Sequence, residues 1–101
     1  QWENVLQQSK DKPFLLLKHS TTCPVSAAAY REFTSIETEL DLYLVKVIES
    51  RPVSNEIEGN LSVQHKSPQL FLVSNEEPVW HTSHWNITQS NITDAIQHHQ
   101  A

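Results

Sequence analysis

Cys23 is the single cysteine of the chain and sits in Thr21-Thr22-Cys23-Pro24-Val25-Ser26, after the apolar run Phe14-Leu15-Leu16-Leu17 and before a stretch with helical spacing. A thiol at such a strand-to-helix junction meets unsatisfied backbone N–H groups and the positive end of a helix dipole, which favour the thiolate. An unperturbed thiol with a pKa of ~8.5 is only ~3% ionised at pH 7, and lowering that pKa to ~6 makes it mostly thiolate. Cys23 therefore reads as a nucleophile. One helical turn on, where a dithiol protein carries its second cysteine, stands Ser26. A hydroxyl can donate a hydrogen bond to the thiolate but cannot displace a mixed disulfide. The chemistry left open is monothiol exchange. Cys23 attacks a mixed disulfide between a protein and a small thiol, takes the small thiol onto itself, and is cleared by a second thiol from outside. That cycle needs no metal or nucleotide, and no tightly bound cofactor is expected. The alternative for Cys23 is a buried structural thiol, which the polar Ser20-Thr21-Thr22 approach and the following Pro24 disfavour.

Several elements must hold this thiol in place. Trp2, Val5, Leu6 and Ser9 recur at helical spacing and predict a short amphipathic helix over 2–10, closed by Pro13. Residues 14–17 predict a strand covered on both faces. Pro24 suits a first helical turn, where its missing N–H costs nothing, and opens a stripe of Val25, Ala28, Ala29, Phe33, Ile36 and Leu40. Residues 42–48 predict a second buried strand. Pro52 opens a third helix carrying Val53, Ile57 and Leu61, with Gly59 marking its end. Residues 69–73 and 78–81 predict strands joined by a hairpin turn. A last helix over 88–99 has Thr88 as cap and Ile92, Ala95 and Ile96 on one face. Alternating β and α units build a parallel sheet, and the closing hairpin adds an antiparallel edge. The expectation is an α/β protein with a thioredoxin-like fold: a mixed four-stranded central sheet flanked by helices, in one domain over 1–101.

Composition narrows the partners. A net charge of −5 without a basic block argues against nucleic acid. No apolar stretch approaches a membrane span, and no signal-peptide pattern is present. One cysteine cannot build an internal disulfide framework, so a reducing, cytoplasmic setting is expected. The sequence contains no methionine, so Gln1 is read as not the native first residue. The three Asn-x-Ser/Thr matches at Asn60, Asn86 and Asn91 are read as chance. His81-x-x-His84 lacks the third and fourth ligands zinc needs, and residues three apart in a strand face opposite sides. His98-His99 likewise has no supporting ligand, so no metal site is expected.

Thr21-Thr22-Cys23-Pro24 resembles the glutaredoxin active-site turn, and Cys23-Pro24-Val25-Ser26 its monothiol variants. Glutaredoxins also carry a Thr-Val-Pro segment and a Gly-Gly pair that hold glutathione. Here Ser67-Pro68 takes the proline position, but the later stretch reads His81-Thr82-Ser83-His84-Trp85-Asn86. The chain as a whole resembles the monothiol bacilliredoxins, the YtxJ-like proteins of the thioredoxin superfamily. The resemblance runs through the Trp2 helix, residues 14–20, Thr22-Cys23-Pro24-Val25-Ser26, residues 43–47, His65-Lys66-Ser67-Pro68-Gln69 and the terminal helix. Val25 replaces the isoleucine of that family's Thr-Cys-Pro-Ile-Ser signature.

The resemblance implies removal of bacillithiol from proteins S-bacillithiolated during oxidative stress, as a general stress protein would do. Cys23 is then the attacking residue, and Pro24 and Ser26 shape its turn. Thr22, Ser67 and Pro68 meet the substrate, with bacillithiol as thiol co-substrate. It also implies a cis Pro68 bond, with the Ser67 backbone pairing with the substrate strand. His65 and Lys66 form a small basic patch that could meet the carboxylates of the bacillithiol malate, a solvated loop being the rival reading. A protonated His19 near the sulfur could favour the thiolate, or could simply end the strand. Partners would be bacillithiolated clients and a small thiol, with no nucleic acid and no membrane, and the chain a monomer or alternatively a dimer. Two other functions stay open: a glutathione-dependent monothiol glutaredoxin, and a thioredoxin-fold interaction protein whose cysteine does not turn over.

Overall fold

The computed structural model describes residues 2–20, 24–47 and 49–100. In chain order the elements are α1 (Trp2–Gln8), β1 (Phe14–His19), α2 (Pro24–Ser35), β2 (Asp41–Lys46), α3 (Arg51–Leu61), β3 (Gln69–Ser74), β4 (Glu77–Ser83), a 3₁₀ turn (His84–Asn86) and α4 (Gln89–Gln100). The strands form one mixed sheet in the order β2-β1-β3-β4. β1 runs parallel to β2 and antiparallel to β3, and β3 pairs antiparallel with β4.

Strand alternation divides the apolar residues between two faces. Phe14, Leu16, Val45, Phe71 and Val73 pack with Trp2 and Leu6 of α1 and Ile57 and Leu61 of α3. Leu15, Leu17, Leu70 and Leu72 pack with Ala29 and Phe33 of α2 and Ile92 of α4, together with Leu40 and Ile87. This is why β1 and β3 read as unbroken apolar runs: each is covered on both sides. On the first face the Phe14 ring is met edge-on by Trp2, with centroids 6.4 Å apart, and by Tyr43 at 5.1 Å. At the far end of the sheet the backbone N–H groups of Asn75 and Glu76 donate to Ser9, at 2.8 Å to its carbonyl and 2.7 Å to its hydroxyl. The end of α1 is thereby tied to the β3–β4 turn, where Asn75 and Glu76 both have positive φ.

Four expectations are corrected. The sheet is not parallel up to its closing hairpin: β3 itself runs antiparallel to β1, because the connection through α3 returns the chain to the end of the sheet where β1 and β2 finish. β2 is an edge strand, with its Leu42 and Leu44 side chains exposed, because no further strand or helix covers that side among the described residues. α2 stops at Ser35 and does not carry the apolar stripe on to Leu40; Leu40 reaches the same core from the connection to β2. The hydroxyls of Thr34 and Ser35 donate to the Tyr30 and Arg31 carbonyls at 2.9 and 2.6 Å, a local pairing that competes with helix continuation. Gly59 lies inside α3, which runs to Leu61 and ends at Ser62 in the left-handed conformation, φ 56°.

Candidate thiol-exchange site

Three chain segments meet at the C-terminal end of β1. The register sets Lys18 opposite Gln69, and Gln69 opposite Ser83, so β1, the start of β3 and the end of β4 finish side by side. The Ser67–Pro68 bond just before β3 is cis, as the resemblance implied. The Pro68 carbonyl accepts a 3.1 Å hydrogen bond from the backbone N–H of His84, which fixes the start of the 3₁₀ turn against that bend. His84 itself has φ 56°, and the next residue, Trp85, is 69% exposed.

Thr22 and Cys23 lie outside the described residues, but both flanks of their segment are placed. Pro24 is the first residue of α2. Ser26, fully buried in that first turn, accepts a 3.3 Å hydrogen bond at Oγ from the backbone N–H of Ser20. Accepting leaves its hydroxyl proton as a separate donor. On the α2 side of β1, the His19 ring lies 5.1 Å from Tyr30. Among the described residues His19 Nδ1 and Ser67 Oγ are buried without a hydrogen-bond partner. Buried polar atoms are ordinarily paired, and exceptions cluster where a ligand or reacting group belongs.

The structure separates His65 from Lys66. Lys66 is exposed, and its backbone N–H donates to Gln69 Oε1 at 3.3 Å. His65 is half-buried, with its backbone N–H donating to Glu58 Oε2 at 2.8 Å and its ring Nδ1 3.2 Å from Lys18 Nζ. Burial lowers the His65 pKa, the positive charges of Lys18 and Arg51 lower it further, and Glu58 partly opposes them. Lys18 is fully buried, 5.9 Å from the centre of the Phe71 ring. Burial lowers its pKa, with Glu58 again pulling in the other direction. An ammonium can only donate, so a hydrogen bond from charged Lys18 requires the His65 tautomer with its proton on Nε2.

Sequence reasoning passed over two residues. Lys18 shares a side of β1 with Phe14 and Leu16, so a lysine at the next inward position of an apolar strand was the available signal. Gln69, also buried, uses its carboxamide to clasp the preceding loop, donating from Nε2 to the Gln64 carbonyl at 3.0 Å while accepting from Lys66. A glutamine opening an apolar run gave only a faint hint of that role. Among the described residues no three His, Cys, Asp or Glu side chains converge as a metal-binding group.

A mixed sheet with helices on both faces and a cis proline beside the end of its central strand defines a thioredoxin-fold protein. A solved thioredoxin-fold structure assigned as an oxidoreductase is 36% identical, with a TM-score of 0.84, over 92% of this chain and 86% of the other. Thioredoxin from Malassezia sympodialis is 19% identical with a TM-score of 0.76, over 98% and 85% of the two chains. Thioredoxin f2 from Chlamydomonas reinhardtii is 18% identical with a TM-score of 0.72, over 96% and 87%. At those identities the two thioredoxins show the fold alone. The family described as monothiol bacilliredoxin BrxC matches residues 1–92. The chain belongs to that family, and its role lies in thiol redox chemistry.

Proposed function

We propose that this protein removes bacillithiol from S-bacillithiolated proteins by monothiol exchange at Cys23. The reading rests on one observation: the only cysteine of a chain matching the monothiol bacilliredoxin family stands in Thr22-Cys23-Pro24-Val25-Ser26, with serine in the resolving position. In the first step the Cys23 thiolate attacks the bacillithiol sulfur of the mixed disulfide. The old S–S bond breaks, Cys23 becomes bacillithiolated, and the client leaves as a thiolate that takes a proton from water. In the second step an external thiolate attacks the bacillithiol sulfur on Cys23, forming a small-molecule disulfide and regenerating the Cys23 thiolate. Electrons balance without a metal or nucleotide.

The surroundings support these roles. Pro24 and Ser26 form the first turn of α2, which follows Cys23 in the chain, and the Ser67-Pro68 bend offers backbone to a client segment lying across the end of β1. Lys66, exposed at that bend, is the cation available to a carboxylate of the small thiol, and Thr22 directly precedes Cys23 in the sequence. We place the protein in the cytoplasm as a monomer acting under oxidative stress.

Turnover on a bacillithiolated protein tests the reading. Wild type should release the client thiol while Cys23→Ala gives only the background rate; equal rates would overturn it. Mass spectrometry after exposure to oxidised bacillithiol or oxidised glutathione separates the rivals. A bacillithiol adduct on Cys23 is expected, a glutathione adduct alone would favour a glutaredoxin role, and no adduct a non-catalytic interaction protein.

A further inference from the structure

Trp85 is 69% exposed, far more than any other large apolar side chain among the described residues. A single apolar side chain at the surface needs no explanation by itself. The turn that carries this one does. Its backbone is held on both sides: the His84 N–H donates to the Pro68 carbonyl at 3.1 Å, and the Ile87 N–H to the His84 carbonyl at 3.2 Å. The Asn91 carboxamide donates to the Asn86 carbonyl at 2.8 Å, and Ile87 is buried with Leu17, Phe33 and Ile92. His84, at φ 56°, takes the left-handed conformation that sterically disfavours a side chain. Such outliers persist where the surrounding structure over-determines them, and they cluster at ligand clamps. A large indole is thus fixed in water by a rigid turn. Two further features share the bend it sits on. Lys66, two residues before Pro68, is exposed and makes no ion pair among the described residues. Ser67 Oγ is a buried hydroxyl without a partner, ordinarily a sign that a ligand completes the hydrogen bonding.

We propose that the Trp85 indole is the platform for the hexosamine ring of the small thiol, with Lys66 of the Pro68 bend meeting its malate. The inference rests on bacillithiol being that thiol, and it names the residue that selects it. Bacillithiol joins its cysteine to a glucosamine whose anomeric oxygen carries the malate. A pyranose presents a face of C–H bonds ringed by hydroxyls, and the face of an aromatic ring is electron-rich. Stacking the two removes apolar surface of both from water while the hydroxyls stay solvated at the rim. The malate then calls for a cation near the platform, and Lys66 supplies one without a competing carboxylate. Glutathione shares the thiol and the carboxylates but has no flat apolar face, so the indole separates the two small thiols. A client polypeptide is the other occupant an exposed indole suits. Clients differ in sequence, however, whereas every one of them would carry the same sugar. A single rigid platform matches the part that does not vary.

Glucosaminyl malate, the thiol-free part of bacillithiol, is titrated into the ¹⁵N-labelled full chain, and the indole N–H signals of the three tryptophans are followed by NMR. The Trp85 signal should move saturably, while that of Trp2, buried and bonded to Asn60, stays in place. Trp85→Ala should weaken binding by about tenfold and Trp85→Tyr should keep most of it, the scale expected of one stacked ring. Lys66→Met should weaken binding of glucosaminyl malate but not of methyl glucosaminide, which lacks the carboxylates. An unmoved Trp85 signal, or equal affinity in wild type and Trp85→Ala, overturns the proposal. The wild-type titration needs no variant and decides the matter even if Trp85→Ala fails to fold. Glutathione moving the Trp85 signal as far would also overturn it, since the platform would then select no sugar. Slower turnover of a bacillithiolated protein by Trp85→Ala, with small-molecule binding unchanged, would assign the indole to the client and overturn it as well. The binding readouts do not involve Cys23. A chain that binds glucosaminyl malate at Trp85 yet releases no client would contradict the proposed function and keep this inference. Turnover with no response at Trp85 would do the opposite.

Discussion

Leu16 and Lys18 leave β1 on the same side, and the difference between them is the desolvation of a charge. Because burial lowers the Lys18 pKa, the unfolded chain binds that proton more tightly than the folded one. Proton linkage then sets the sign: stability rises with pH between the folded Lys18 pKa and the ordinary lysine value of about 10.4, and the full penalty applies below that window. Lys18→Met removes the penalty. The variant should be more stable than wild type by about 1–2 kcal/mol near pH 7, within the range seen when buried charges are replaced by apolar residues of similar volume. The gap should close as pH approaches 10. Urea unfolding at several pH values checks this, and a gap independent of pH would show that the lysine carries no desolvation cost. The candidate nucleophile could be named from the sequence, since one cysteine followed by Pro24 and Ser26 admits few readings. Lys18 could not, because its meaning depends on Gln69 and His65, distant in sequence, arriving beside it.

At the scale of elements, α3 shows how packing overrides a local stop signal. Gly59 costs about 1 kcal/mol in a helix interior relative to alanine. The helix nevertheless runs past it because Leu61, one turn beyond Ile57, is buried against the same face of the sheet. The end falls where Ser62 takes the left-handed conformation. A Cβ built on Gly59 meets nothing within 4 Å, and its φ is not positive. Gly59→Ala should therefore stabilise the protein by about 0.5–1 kcal/mol, chiefly by restricting the unfolded chain. A rise in urea midpoint with unchanged slope is the expected signature, and a fall would mean that the helix needs a glycine there. The opposite misreading occurs at α2. Ile36 and Leu40 continue the spacing of a helix that has already ended, because apolar residues beyond Ser35 can reach the same core from a connecting segment.

At the scale of the molecule, burial separates residues that the sequence makes look alike. Leu17 of β1 and Leu44 of β2 are register partners on the same side of the sheet. Leu17 is 0% exposed, packed beneath α2 and α4, while Leu44 is 39% exposed on the edge strand. Leu17→Ala should cost about 2–5 kcal/mol, the range for opening a cavity in a packed core. Leu44→Ala should cost less than about 1 kcal/mol, since a half-exposed side chain leaves little cavity and loses little buried area. Equal losses in equilibrium unfolding would mean that the edge of β2 is covered in solution.

The sequence alone determined whatever depends on short-range pattern. Apolar period and turn chemistry specified eight elements in order and the β3–β4 hairpin, but not that β3 already runs antiparallel to β1 within the sheet. The isolated cysteine before a proline and a serine pointed to thiol exchange, and the stretch from Trp2 to the last helix carried the family resemblance. Tertiary structure alone decided which strand is the edge, where α2 and α3 stop, and that a lysine and a histidine 47 positions apart share one hydrogen bond. The reason is range: a propensity is a property of a few neighbouring residues. Burial and the field around a charge are set by every element that closes over the site.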